Sequence, residues 1–357
     1  MSTPARSTKH PVLIRKITRR NPFAIERLPL IARIFRWPFD RFSTPGRQAL
    51  FGAPSLLAFF LYRRFVPVRA AGVFKFKIGG QDKRIEFDAR NTQFSAVYFK
   101  TFAYGYEPQI TALLDLLMPD DGVFLDVGSN WGWFSLFLAS RPGFKGKVHA
   151  FEPFPSNFAD LVSTVAQAGL SDRIECHNVA LYDRSGEATM HLPDGFQSGA
   201  ATLSEVSRGA APKGKSIQTV TLDSLDLATA AVMKIDAEGS EFKVLTGAAN
   251  FIPAHRPLIV LESGRYPQEP PRTLGPLRLL RSWGYDLFQV AWLRQWEGGS
   301  FLMGDDLDPN PQGEETLALA RFDVEERFLR PDINVFACHR DRLAELETKF
   351  SRCEIPA

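Results

Sequence analysis

The sequence predicts an α/β protein built on a doubly wound, mostly parallel sheet, and three observations carry that prediction. From about residue 106 onward, short apolar strands alternate with amphipathic helical runs, the rhythm of consecutive βα units. Within that rhythm, Val123 to Gly132 reads VFLDVGSNWG: an apolar strand closes on an acid, and a glycine-bearing turn leads into a helical run. Open α/β sheets bind their ligands at this place, outside the carboxyl ends of the strands. Finally, Pro257–Glu262 (PLIVLE) is nearly all apolar, as a strand covered on both faces has to be.

The elements follow in order. Val73–Phe87 (VFKFKIGGQDKRIEF) alternates apolar and polar residues around Gly79 and Gly80 and predicts a hairpin. Val123–Val127 is the first strand of the main sheet, and Trp133–Ser140 is the helix that follows it. Lys147–Glu152 (KVHAFE) is the second strand, again closing on an acid. Pro155–Gly169 is helical, with Phe158, Leu161, Val162 and Val165 on one face and Gly169 as its stop. Arg173–Ala180 (RIECHNVA) gives a short third strand ending at Asn178. Glu187–Leu192 and Ser216–Leu222 bracket a Gly/Ala/Ser loop over 194–215. Ala231–Asp236 (AVMKID) is the fourth strand, with a helix running on to Phe251, and Pro257–Glu262 is the fifth. Helix Pro276–Trp283 and strands Tyr285–Val290 and Ile333–His339 bring the count to seven. Residues 291–330 are rich in Gly, Asp, Pro and Arg, lack periodicity, and are expected to form a lid.

The turn after Val127 argues against a dinucleotide. A G-x-G-x-x-G fingerprint needs its second glycine where backbone touches the pyrophosphate, and here Asn130 and Trp133 occupy the second and third places. That spacing argues against the alternative of a nicotinamide-dependent oxidoreductase and suits a smaller cofactor. Asp126 ends the first strand. Gly128 and Gly132 remove side chains where a cofactor meets backbone, and Gly128 reaches positive φ cheaply. Glu152, 26 residues after Asp126, stands where an acid accepts both hydroxyls of an adenosine ribose. Asn178 suits the adenine edge. The alternative for Glu152 is a plain loop cap.

At this point the residues carry a resemblance. LDVGSNWGWFSL, FEPFPSNF, NVALYDRSGE, TLDSL and MKIDAEGSEFKVLTGA, in that order, resemble the FkbM-type family of S-adenosylmethionine-dependent methyltransferases over about Tyr106 to Glu262. The resemblance implies a class I methyltransferase sheet of seven strands with the last antiparallel. It also implies methyl transfer to a hydroxyl oxygen, on a sugar or a natural-product scaffold. Carried over residue by residue, Asp126, Gly128, Asn130 and Gly132 hold the methionine end of the cofactor. Glu152 binds the ribose with Asn157 nearby, Asn178 and Ala180 flank the adenine, and Glu107 meets the cofactor's amino group. Ser198 to Thr202 resembles a segment facing the substrate. Trp131 and Trp133 are bulkier than the residues commonly found beside this turn.

A sulfonium methyl is already activated, so in-line positioning of the acceptor supplies much of the rate. A sugar hydroxyl still has to lose a proton, which asks for a general base or a metal. Asp236, ending the fourth strand, is the first candidate for either role, with Glu238 beside it. For Glu238 and Glu241 the alternative is service as helix N-terminal acids. Of the six histidines, His177 and His191 fall near the expected site, while His149 and His339 lie inside apolar strands and read as packed. No H-E-x-x-H or cysteine cluster supports a metal, so a divalent ion at Asp236 stays an open alternative to the base.

Composition sets the bounds. The length, 357 residues, suits one large α/β domain with appendages: 1–72 a basic amphipathic extension, 73–105 the entrance hairpin and connector, 106–340 the methyltransferase-like domain, 341–357 a tail. Three unclustered cysteines, Cys176, Cys338 and Cys353, point to a reducing compartment and no disulfide framework. The net charge of +3 splits into +12 over residues 1–72 and −9 over the rest. In the basic part Leu28, Ile31, Phe35, Phe39 and Phe42 recur at helical spacing, which predicts binding to an anionic membrane surface through residues 1–70. Pro29 and Pro38 are expected to break that helix, and Gly52 and Pro54 the uncharged run Ala49–Tyr62. That run is shorter than the ~18 residues a spanning helix needs, so an interfacial or re-entrant segment is expected. Packing on the catalytic domain or on another subunit is the competing reading, and an Arg-rich, acid-poor start also resembles a transit peptide. An apolar run beginning at residue 49 is too late for a secretory signal, and no nucleic-acid-binding module is present. The expectation is a cytoplasmic enzyme, peripheral at a membrane, that methylates a hydroxyl of a sugar, glycan or glycolipid. The alternatives are a membrane-associated cofactor-binding scaffold without turnover, and a methyltransferase acting on a protein or small lipid.

Overall fold

The computed structural model describes residues 12–18, 21–41, 45–66, 68–99, 102, 105–191, 202–204, 214–296, 299–303, 314–330 and 332–353. The chain opens with strands β1 (Val12–Thr18) and β2 (Phe23–Arg27), then helices α1 (Leu30–Arg41) and α2 (Pro45–Phe65). The expected hairpin is β3 (Ala71–Ile78) with β4 (Gln81–Asp88), and its turn places both Gly79 and Gly80 at positive φ, as a two-residue hairpin loop requires. A short helix α3 (Ser95–Tyr98) and α4 (Pro108–Leu117) lead to the βα repeat: β5 (Val123–Val127), α5 (Trp133–Ala139), β6 (Lys147–Phe151), α6 (Pro155–Ala168) and β7 (Ile174–His177). A small side sheet follows, β8 (Ala180–Leu181), β9 (Gly186–His191), β10 (Thr202–Ser204) and β11 (Lys215–Val220). The main sheet resumes with β12 (Val232–Ile235), α7 (Glu241–Thr246), α8 (Phe251–His255), β13 (Leu258–Ser263), α9 (Pro270–Ser282), β14 (Tyr285–Trp296), β15 (Gly299–Met303), β16 (Glu314–Arg321) and β17 (Ile333–His339). Helix α10 (Leu343–Lys349) and strand β18 (Ser351–Cys353) close the chain.

The main sheet runs β18-β1-β16-β14-β17-β13-β12-β5-β6-β7, with β15 paired to β14. The five strands from β13 to β7 are parallel, and β17 lies antiparallel between β13 and β14. This is the seven-strand order of a class I methyltransferase with its last strand reversed. The strands sort their side chains by alternation into two cores: Phe124, Val148, Val232 and Val260 face one, Leu125, Phe151, Met233 and Leu261 the other. Both faces are covered, which is why these strands carry so few polar residues.

Several expectations are corrected. The stretch 291–330 is not an irregular lid: β14, β15 and β16 extend the sheet through it, and β16 carries Leu317 to Ala320 fully buried. Part of the basic extension is built into the sheet as well. Strand β1 pairs with β16 from Val12–Ala320 to Thr18–Glu314, and β18, from the expected tail, pairs with β1. Neither Pro38 nor Pro54 breaks its helix; each forfeits one backbone rung, and packing of α1 on α2 holds both helices together. At that contact Phe35 stacks on Phe59, ring centroids 4.6 Å apart, and meets Phe99 at 5.2 Å. Leu28 and Phe35 therefore face the core, not a membrane. Residues Phe39 and Phe42, and the segment 198–201, lie outside the side chains or residues described. No helix among the described residues is long and apolar enough to cross a membrane.

Strand β2 explains the bulky Trp131 and Trp133. Phe23 inserts edge-on between them, with centroids 5.9 Å and 4.6 Å away, and also meets Phe74 and Phe76 of β3. Trp131 stacks on Phe94 at 4.9 Å, so the N-terminal segment and hairpin are sealed onto the turn after β5 by aromatic packing.

Candidate active site

The carboxyl ends of β5, β6 and β12 open into one cleft, lined among others by Tyr106, Gly128, Asn130, Glu152, Asn157, Ala180, Lys234, Asp236 and Glu238. Asp126 is fully buried at the end of β5. Its Oδ2 accepts a hydrogen bond from Ser135 Oγ at 2.5 Å, while Oδ1 has no partner among the described residues. Burial pushes this carboxyl above its usual range, and the Lys234 ammonium works against that shift.

The turn glycines answer first to the protein itself. A Cβ on Gly128, at φ +80°, would sit 1.8 Å from the Asp236 carbonyl oxygen, and one on Gly132, at φ +96°, 2.8 Å from Leu161 Cδ1. The Asp236 backbone thus demands glycine at 128, and the left-handed backbone favours it at 132, whatever the cleft holds. The N–H groups of Gly128 and Ser129 both donate to the Phe151 carbonyl at 3.0 Å, which folds the turn over the end of β6.

Glu152 completes that fold. Its Oε2 accepts the Asn130 N–H at 2.9 Å and its Oε1 the Phe154 N–H at 2.8 Å. The carboxyl is 5% exposed, and burial pushes it up to about 7 despite both N–H donors. Each oxygen keeps a second lone pair for another donor. Asn178 turns its amide to the backbone, donating to the Glu152 carbonyl at 2.8 Å and that of Pro153 at 3.2 Å, and it is absent from the cleft lining; Ala180 and buried Asn157 are in it.

The residue that sequence reading missed is Lys234. It is 3% exposed on β12, its Nζ donates to Asp236 Oδ2 at 2.9 Å, and it lies 4.7 Å from the Phe134 ring centroid. Asp236, Glu107 and Asp126 together hold its ammonium charged, overcoming burial, the largest single influence on it. The signal was present: a lysine inside AVMKID, a strand covered on both faces, requires buried carboxylates around it. Glu107 reaches this cluster from the N-cap of α4 and raises the neighbouring Tyr106 hydroxyl well above its ordinary pKa.

Glu238 faces the same cleft, and burial, with Asp236 next, pushes its carboxyl up to about 8. Glu262, at the end of β13, is pushed up to about 7 by the same causes and also escaped the sequence reading. Glu241 instead caps its own turn, with Oε1 accepting the N–H groups of Ala237 at 3.2 Å and Gly239 at 3.0 Å. Among the described residues, four non-glycine residues adopt left-handed backbone: Glu107, Asn130, Glu238 and Arg256. Three of the four belong to this site, where strain of this kind is concentrated in functional clefts.

Residues 126–287 match the family model described as the methyltransferase FkbM domain. The chain is similar to the 31-O-demethyl-FK506 methyltransferase FkbM of Streptomyces tacrolimicus, at 32% identity over 37% of this chain and 60% of that protein. A shorter match, 33% identical over 26% of this chain and 4% of the other, is to the AMB antimetabolite synthetase AmbE of Pseudomonas aeruginosa. Among solved structures it is similar to an FkbM methyltransferase of Methylobacillus flagellatus KT, at 16% identity and a TM-score of 0.34, covering 81% of this chain and 58% of that one. The chain thus spans less than two thirds of these relatives' own lengths.

Proposed function

We propose that this chain, which carries an FkbM methyltransferase domain, is an S-adenosylmethionine-dependent O-methyltransferase acting on a hydroxyl of a sugar, glycan or glycolipid. The observation that carries the reading is the convergence of Glu152 and the Lys234–Asp236 pair on one cleft at the strand ends, with Asp126 buried at the end of β5. The donor set fits the cofactor. Glu152 has a spare lone pair on each oxygen for the two ribose hydroxyls, and Asp126 Oδ1 is a buried acceptor without a partner among the described residues. Asn130 and Asn157 flank this place, and the anionic groups around Lys234 suit a cationic sulfonium. The bound cofactor supplies an activated methyl group.

This chain's own residues do the rest. Lys234 fixes Asp236 through Oδ2, which leaves Oδ1 for the acceptor hydroxyl whose proton Asp236 takes as general base. Glu238, neutral below about pH 8, donates a hydrogen bond to the acceptor. Trp131, Trp133 and Phe134 line the cleft and exclude water from the transfer. Methylation at oxygen is what the name of the Streptomyces tacrolimicus relative describes, and it supports the same chemistry here. The test is S-adenosylhomocysteine production with a panel of polyhydroxylated acceptors. Asp236→Asn should lose at least about 100-fold in turnover with cofactor affinity kept. Equal turnover by that variant, or none by the wild type across the panel, refutes the reading.

The exposed apolar side chains support a peripheral membrane site. Leu30, Ile34 and Trp37 of α1 and Leu57, Leu61 and Phe65 of α2 are all exposed, with Arg27, Arg33 and Arg41 exposed beside them. Such a basic, apolar surface matches an anionic lipid headgroup layer. Replacing Trp37, Leu57 and Phe65 together by serine should abolish sedimentation with anionic liposomes. Unchanged sedimentation removes the membrane from the account.

A further inference from the structure

We propose that His149, Glu175 and His177 form a binding site for a divalent cation of the zinc class, separate from the cleft. Parallel pairing sets His149 opposite Glu175 and Phe151 opposite His177, so strand alternation brings all four side chains to one face of β6 and β7. Among the described residues this is the one group of three His, Cys, Asp or Glu side chains with ligand atoms close enough to share an ion.

The spacing is that of a coordination shell. His149 Nδ1 and His177 Nε2 lie 3.2 Å apart, His149 Nδ1 and Glu175 Oε2 3.5 Å, and His177 Nε2 and Glu175 Oε1 3.7 Å. Ligands about 2.0–2.1 Å from a tetrahedral zinc are separated by roughly 3.3–3.4 Å, so an ion needs only small side-chain shifts to sit among these three atoms. Burial lowers the pKa of both imidazoles, which favours the neutral form that binds metal; Glu175 opposes that shift in each. The proton now shared between the two facing nitrogens moves to a far ring nitrogen by tautomer change, so no proton has to be lost. The histidine side chains are 14% and 22% exposed and Glu175 is 67% exposed, so the site opens to water on the carboxylate side. That gives the ion an entry path and leaves a fourth position for a water. Imidazole with one carboxylate suits zinc, cobalt(II) or nickel, and not magnesium or calcium.

Neither histidine signalled this in sequence, because the ligands come from two strands and assemble only through their register. The ion would clamp edge strand β7 to β6 beside the cleft, since the His177 ring stacks on Phe151 at 4.6 Å and its carbonyl accepts the Glu152 N–H at 3.0 Å.

The experiment uses the full chain, stripped with EDTA and then titrated with Zn²⁺ against a chromophoric chelator and with Co²⁺ by visible absorption. One Zn²⁺ per chain is expected, with the intense Co²⁺ bands of a four-coordinate site. Glu175→Gln, a change at an exposed side chain that leaves folding alone, should weaken Zn²⁺ binding at least about tenfold. His177→Gln should abolish the four-coordinate Co²⁺ spectrum. Metal should raise the Tm of the wild type more than that of either variant. Zn²⁺ affinity equal in wild type and both variants overturns the proposal, as does the pale spectrum of six-coordinate Co²⁺ in the wild type, which marks an adventitious ion only.

Discussion

Glu152 makes cofactor binding depend on pH in a direction the structure fixes. Its carboxyl is pushed up to about 7 by burial, from an ordinary value of 4.5. Ribose hydroxyls donate to its ionised form, so binding requires the proton to leave. Above about pH 8 the group is already ionised and affinity should be flat. At pH 5.5 only about one molecule in 30 is ionised, so S-adenosylhomocysteine should bind about 30-fold more weakly, or about 2 kcal/mol. The same shift acts on the empty protein with the opposite consequence. A raised acid favours folding fully below its unfolded value near 4.5 and loses that contribution as pH rises through about 7, so ligand should stabilise most at the alkaline end. Calorimetry between pH 5.5 and 8, in buffers of different ionisation enthalpy, reads both the affinity and the proton released. Glu152→Gln is the control, because it keeps one of the two oxygens that accept the Asn130 and Phe154 N–H groups, whereas alanine would remove both. The glutamine variant should bind roughly 1.5–3 kcal/mol more weakly at pH 8 and show no slope. Wild-type affinity constant from pH 8 to 5.5, or a slope that survives in the variant, refutes the reasoning.

Other outcomes follow from the same geometry. Glu238→Gln mimics the neutral acid, so at pH 6.5 its kcat should stay within about threefold of wild type, while any change in the wild-type rate across pH 8 should vanish in the variant. Phe23→Ala should cost about 3–5 kcal/mol in urea denaturation, because its ring is 3% exposed and packed by Trp131, Trp133, Phe74 and Phe76; a loss under 1 kcal/mol means the N-terminal segment is a detachable appendage. Gly128→Ala should destabilise by about 3 kcal/mol even without cofactor, since its Cβ would collide with the Asp236 carbonyl, and a Tm equal to wild type contradicts that packing.

The central sheet was legible because its strands end in acids or turns and its helices have clear faces. Asp126, Glu152 and Asp236 were placed from strand ends alone, and the structure brings all three to the same end of the sheet, two of them in the cleft lining. Long-range pairing was not legible. Nothing local in VLIRKIT says that β1 will pair with a strand some 300 residues away, and that partner lay in a stretch whose loop-like composition hid β15 and β16. Of the apolar stripe, Phe35 lies on α1 while Leu28 precedes that helix, and both face inward, since periodicity fixes a face but not what it meets. The glycines of the turn were identified for the cofactor, whereas their nearest neighbours are Asp236 and Leu161. Lys234 matches no motif, yet a cation in a strand buried on both faces implies buried acids such as Asp236 as its partners.

The most direct measurement is the structure of the full chain with S-adenosylhomocysteine bound. The account predicts both ribose hydroxyls within about 2.6–3.2 Å of the Glu152 carboxylate and the methionine end beside Asp126, with the sulfur facing Asp236. Ligand bound elsewhere, or in this cleft with Glu152 making only its present backbone hydrogen bonds, would contradict it.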